Sequence, residues 1–118
     1  MLQTFNQNIR NFRKFRGLTQ EELANRLGKT KNVVSNWERG DNAPDVDNIE
    51  MICRVLSVTP NQLFGWEPCV EYEKYMERIK QREIKLMELE EDKNKLQYQI
   101  DKIMEEIRIE KSRLKEGD

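Results

Sequence analysis

The chain has 118 residues, 36% of them charged and 36% hydrophobic, which is lean for a globule of this length and predicts one small domain plus an exposed, elongated appendage. Its net charge of −1 hides a split, because residues 1–40 hold eight Lys/Arg against three Asp/Glu and residues 41–70 hold one Arg against five acids. Such polarity suits docking on phosphates by one side only.

With no His and two widely spaced Cys, the sequence has no material for a zinc site. It also lacks a phosphate loop and a nucleophile–base arrangement, so neither enzyme activity nor a cofactor is expected. No signal peptide and no apolar run of about 18 residues is present, which disfavours secretion and membrane insertion.

In chain order, residues 5–16 read as a helix with Ile9 and Phe12 inward, ended by Gly17. Thr19 and Glu22 form a capping box that starts a second helix at Gln20, with Leu23, Ala24 and Leu27 on one face. Gly28 supplies a left-handed turn, and Thr30 caps a third helix whose Val34 and Trp37 face inward until Gly40 closes it. Lys31, Asn32, Val33, Ser35, Asn36 and Arg39 remain outward, a face suited to base edges in a DNA major groove. Taken alone, the same pattern fits a solvated helix in an ordinary helical domain.

Pro44-Asp45 starts a fourth helix carrying Val46, Ile49, Ile52, Cys53 and Leu56. Thr59-Pro60-Asn61-Gln62 starts a fifth, whose Leu63 and Phe64 close the core with Ile9, Phe12, Leu18, Leu23, Val34, Trp37, Ile49 and Leu56. Trp66 and Pro68 mark the domain boundary. Cys53 is expected as a buried thiol, and Cys69 as an exposed residue of the linker.

Residues 9–65 resemble the Cro/phage-repressor type of helix-turn-helix domain, the XRE family. The resemblance is carried by IRNFRKFRGLTQEELANRLG, VVSNWERG, PDVDNIEMICRVLSV and TPNQLFG. It implies a five-helix, lambda-repressor-like fold that binds double-stranded DNA. It implies that Arg13 pairs with Glu38, and that Gln20 touches a backbone phosphate and buttresses the start of the recognition helix. Lys31, Asn32 and Asn36 match the base-reading positions; Asn suits adenine and Lys suits guanine. Thr30, Ser35 and Arg39 fall to phosphates. Lys29 departs from the family, which has an apolar residue there, and adds a cation near the backbone. In the family the last helix also contributes to dimer contacts, so Trp66 packs either across a dyad or within its own chain.

Residues 71–116 contain neither Gly nor Pro and are dense in Glu, Lys, Arg, Ile and Leu, which predicts one long helix of roughly 70 Å. A heptad frame places Tyr72, Ile79, Leu86, Lys93, Ile100, Ile107 and Leu114 at a, and Tyr75, Arg82, Leu89, Leu96, Ile103 and Glu110 at d. Ile at a with Leu at d favours a parallel two-stranded coil, and Lys93 in the seam restrains register. Across such a coil Arg78–Glu83, Lys85–Glu90 and Glu106–Lys111 attract and no pair repels. Two alternatives are a lone charged helix and a hairpin turning near residues 91–94.

The expectation is therefore an all-α chain: a helix-turn-helix domain over 1–66, a linker over 67–70 and a coiled-coil dimerisation helix over 71–118. It would act as a homodimeric DNA-binding regulator, a repressor of bacterial or phage origin, cytoplasmic and nucleoid-associated. The competing reading is an interaction module whose coil grips a protein partner, in the manner of an antirepressor or antitoxin.

Overall fold

The computed structural model describes residues 2–116, with side chains over 5–115, and all the secondary structure among them is helical. The elements are α1 (Leu2–Phe15), α2 (Gln20–Leu27), α3 (Lys31–Arg39), α4 (Val46–Leu56), α5 (Pro60–Phe64) and α6 (Val70–Glu116). The chain divides into two units, the first ending at Tyr75 and the second beginning at Met76. Residue 1 and residues 117–118, the ends of the expected division, lie outside the described residues.

Local chemistry sets the boundaries of the short helices. The Thr19 hydroxyl accepts from the Glu22 backbone N–H at 3.0 Å while the Glu22 carboxylate accepts from the Thr19 N–H at 3.3 Å. Thr59 and Gln62 repeat this reciprocal arrangement at 3.1 and 3.0 Å, with Pro60 at the first helical position. Asp45 caps α4 by accepting from the Asn48 N–H at 2.8 Å. Each such cap contributes about 1 kcal/mol. At the other ends, Gly28 and Gly40 take φ of +66° and +83°, where a side chain would be strained.

One C-terminus departs from the glycine rule. Ser57 ends α4 at φ +54°. Its neighbourhood explains the tolerance: the Arg16 guanidinium donates to the Leu56 and Ser57 carbonyls at 2.7 and 3.1 Å, satisfying groups that a helix end leaves orphaned.

The core of the first unit sits where α1, α2, α3, α4 and α5 pack on one another. Ile9, Leu23, Val34, Ile52, Leu56 and Leu63 are sealed completely, and Phe12, Leu18, Ala24, Leu27, Trp37 and Cys53 surround them. Each large apolar side chain so buried contributes about 1.5–3 kcal/mol. Ile49 and Phe64 lie half-buried at its margin. Val46, at the first position of α4 before the inward face is established, is 79% exposed. One expected placement is corrected. Val33, assigned to the outer face of α3, is half-buried against the core.

The expected exposure of Cys69 is also corrected. Cys69 is buried in the core and not exposed, and its carbonyl accepts from the Glu73 N–H as α6 begins. Tyr72 then packs edge-on against Phe12 and Phe15, with ring centroids 5.1 and 5.5 Å apart, and Tyr75 lies 4.9 Å from Phe15. Arg16 reaches Glu71 at 3.0 Å. The first a and d residues of the heptad frame are thus engaged with α1. Trp66 stacks on Phe64 at 4.8 Å within its own chain and stays mostly exposed.

In the second unit, α6 runs unbroken through residues 91–94, so the chain does not fold back as a hairpin. Leu86, Leu89, Leu96, Ile100, Ile103, Ile107 and Leu114 expose between 47% and 75% of their surface. Ion pairs along the helix, Glu91–Lys95 at 3.5 Å and Glu110–Arg113 at 3.1 Å among them, belong to its solvated faces. The Arg108 guanidinium, hydrogen-bonded to Glu105, holds that carboxyl below its ordinary range.

Candidate nucleic-acid interface

The third helix is anchored from below by a network that sequence spacing alone does not reveal. Arg13 of α1 is buried and donates to both oxygens of Glu38, through Nε to Oε2 at 2.7 Å and through Nη2 to Oε1 at 2.9 Å. The same guanidinium donates through Nη1 to the Leu18 carbonyl at 2.8 Å. Gln20 Nε2 adds a fourth bond, to Glu38 Oε1 at 3.2 Å. A planar guanidinium matches a carboxylate in this bidentate manner, so the pair fixes direction as well as distance. The Glu38 side chain is only 3% exposed. The network therefore ties α1, the turn after it and the start of α2 to the far end of α3; Gln20 supports the helix there, at Glu38, and not at its start as expected.

With its base fixed, α3 presents an outer surface of polar groups. Lys31, Asn32 and Arg39 are exposed, and Ser35 and Asn36 are half-exposed between them. Lys29 and Thr30 stand exposed at the turn, where the Thr30 hydroxyl accepts from the Val33 N–H at 3.4 Å. Beside this face a shallow groove is lined by Lys14, Thr19, Gln20 and Lys31. It opens at the first turn of α2, where backbone N–H groups lack helical partners.

Arg39 does not stand free on this surface. It donates through Nε to Asp41 Oδ2 at 3.0 Å, through Nη1 to Ser35 Oγ and through Nη2 to Asn36 Oδ1. The sequence marks Asp41 only as the start of the loop leaving α3, and the one signal for this contact is its position two residues after Arg39. The groups expected along the seam of α6, including Ile79 and Lys93, lie in the second unit.

A family model described as helix-turn-helix, HTH_3, matches residues 9–63. The HTH-type transcriptional activator BcrR of Enterococcus faecalis is 32% identical over 66 residues, covering 56% of this chain and 32% of BcrR. The uncharacterized HTH-type transcriptional regulator YazB of Bacillus subtilis is 36% identical over 55 residues, covering 47% of this chain and 80% of YazB. In structure, the DNA-binding domain of the P22 C2 repressor superposes with a TM-score of 0.50 at 27% identity, covering 53% of this chain and 83% of that domain. The chain spans about a third of BcrR and about half of two further curated relatives. Five helices in the order the resemblance requires, the glycine turn, the Arg13–Glu38 tie and the YazB likeness agree: the chain belongs to the helix-turn-helix family HTH_3, of the XRE type.

Proposed function

We propose that this chain is a sequence-specific, double-stranded DNA-binding regulator of transcription that acts as a homodimer on an inverted-repeat operator. The observation that carries this reading is the outer face of α3, polar and cationic, held from beneath by the buried Arg13–Glu38 pair. Lys31, Asn32 and Asn36 read base edges in the major groove. Gln20, Lys29, Thr30, Ser35 and Arg39 contact phosphates, Gln20 from the groove at the start of α2.

The partner for α6 in this reading is a second copy of the chain. The seam from Ile79 through Leu86, Leu89, Lys93, Leu96, Ile100, Ile103 and Ile107 to Leu114 pairs in parallel, which matches its attractive flanking charges. The coil brings a second head close to the same DNA, so a modest single-head affinity becomes a useful one. The two α3 helices then enter major grooves about 34 Å apart. Repression by occupying the operator is the proposed mode, in keeping with the likeness to the DNA-binding domain of the P22 C2 repressor. The chain works in the bacterial cytoplasm, on the nucleoid.

Selection of bound duplexes from a random pool tests this directly. The expected result is an inverted repeat with one strong half-site per head. In the same selection Asn36→Ala should lose preference at one position per half-site, by about tenfold or more, while its circular dichroism stays unchanged. Weak, salt-sensitive binding with no enriched motif would overturn the reading.

A further inference from the structure

The arginine at the end of α3 and the acid just beyond it bear on what Asn36 can read. Closure at Gly40 places Asp41: the Asp41 backbone N–H donates to the Asn36 carbonyl at 3.0 Å, and the Asn42 N–H donates to it at 3.4 Å. Asp41 Oδ2 then receives the Arg39 Nε–H at 3.0 Å. That bond aims the remaining guanidinium edge back along the helix, where Nη1 meets Ser35 Oγ and Nη2 meets Asn36 Oδ1. A guanidinium carries donors and no acceptor, so the atom of the Asn36 amide facing it must be the oxygen. Both N–H groups of Asn36 Nδ2 are left for a base.

We propose that Asp41, acting through Arg39, locks the Asn36 amide as a donor, so that Asn36 selects a base with a keto acceptor edge, guanine or thymine, and not adenine. Pairwise reading of adenine needs an acceptor for its N6 amino group and a donor for N7, and the Asn36 oxygen that would accept is already engaged by Arg39. Guanine presents O6 and N7, and thymine presents O4, all acceptors. Arg39 has five N–H groups and spends three here, so two remain for a phosphate. Asp41 and Arg39 are exposed in the free chain, where an ion pair is weak. Closing the groove over them removes the competing water and strengthens the bond at the moment of reading.

This inference rests on the proposed reading of DNA by α3, and its test separates the two. The full chain, Asn36→Ala, Asp41→Ala and Asp41→Asn are each taken through selection from a random duplex pool, with thermal melting to show that each is folded. The position whose preference vanishes in Asn36→Ala is the one Asn36 reads. At that position the unaltered chain should select guanine or thymine by about tenfold. Asp41→Ala should move the preference toward adenine or flatten it, leaving other positions unchanged. Asp41→Asn keeps an oxygen for Arg39 Nε and should restore the original base. Adenine at that position in the unaltered chain, or one motif shared by the unaltered chain and Asp41→Ala, would overturn the lock while leaving α3 as the reading helix. A pool without any motif, for all four proteins, would overturn both.

Discussion

Arg13 and Glu38 are both withdrawn from water, and withdrawal makes their contributions unequal to a simple sum. Deleting one leaves the other as a buried charge without a counterion, whereas replacing both with apolar groups removes the desolvation cost altogether. Glu38→Ala is therefore expected to lower stability by about 3–5 kcal/mol in urea titration, and Arg13→Met with Glu38→Leu to recover most of that loss. A double variant as unstable as the single one would show that the pair itself, and not charge burial, holds α3. This pair was legible because Arg13 and Glu38 each fall within a segment that resembles the family. The bonds of Arg16 were not, because its partners on α4 are the carbonyls of Leu56 and Ser57, and a carbonyl has no residue identity to read. Nor was the Asp41–Arg39–Asn36 chain, which depends on rotamers and on how the turn at Gly40 closes.

Among elements, the short helices were the most legible, since their caps are chemistry between residues three apart. Thr19–Glu22 and Thr59–Gln62 both close as expected. The beginning of α6 was the least legible: an aromatic at a or d satisfies the heptad pattern as well as it satisfies Phe12 and Phe15, and only tertiary packing decides between them. The outcome is testable through the Tyr72 phenol, whose pKa is raised above 10.0 by burial and then by the neighbouring Tyr75. A raised native value means that the native state holds the proton more tightly than the unfolded chain. The contribution is complete below pH 10.0 and is lost as pH rises through the native value. Tyr72→Phe should thus give a flatter fall in melting temperature across the alkaline range than the unaltered chain, and an equally steep fall would count against the docked ring. The Cys53 thiol, also pushed up by burial, contributes to that fall in both proteins and leaves the difference intact.

For the whole molecule, what matters is how many chains work together. A seam of Leu and Ile that stays about half exposed along α6 is a large apolar surface to leave in water, and the proposed pairing with a second copy would cover it. Sedimentation at micromolar concentration should give twice the chain mass. Lys93→Ile should tighten that association and loosen its register, since the lysine is the one cation among the a positions. A monomer in both cases would assign the seam to a different protein. The same packing that engages Tyr72 and Tyr75 governs where the chain can be cut. A fragment ending after Cys69 discards Glu71 and both rings, so its weak binding would confuse loss of pairing with damage to the head. Anyone transplanting this head onto a foreign scaffold should carry it through Tyr75 before splicing. A chimera joined at Gly65 would strand Phe15 in solvent, and its failure would say nothing about the new host.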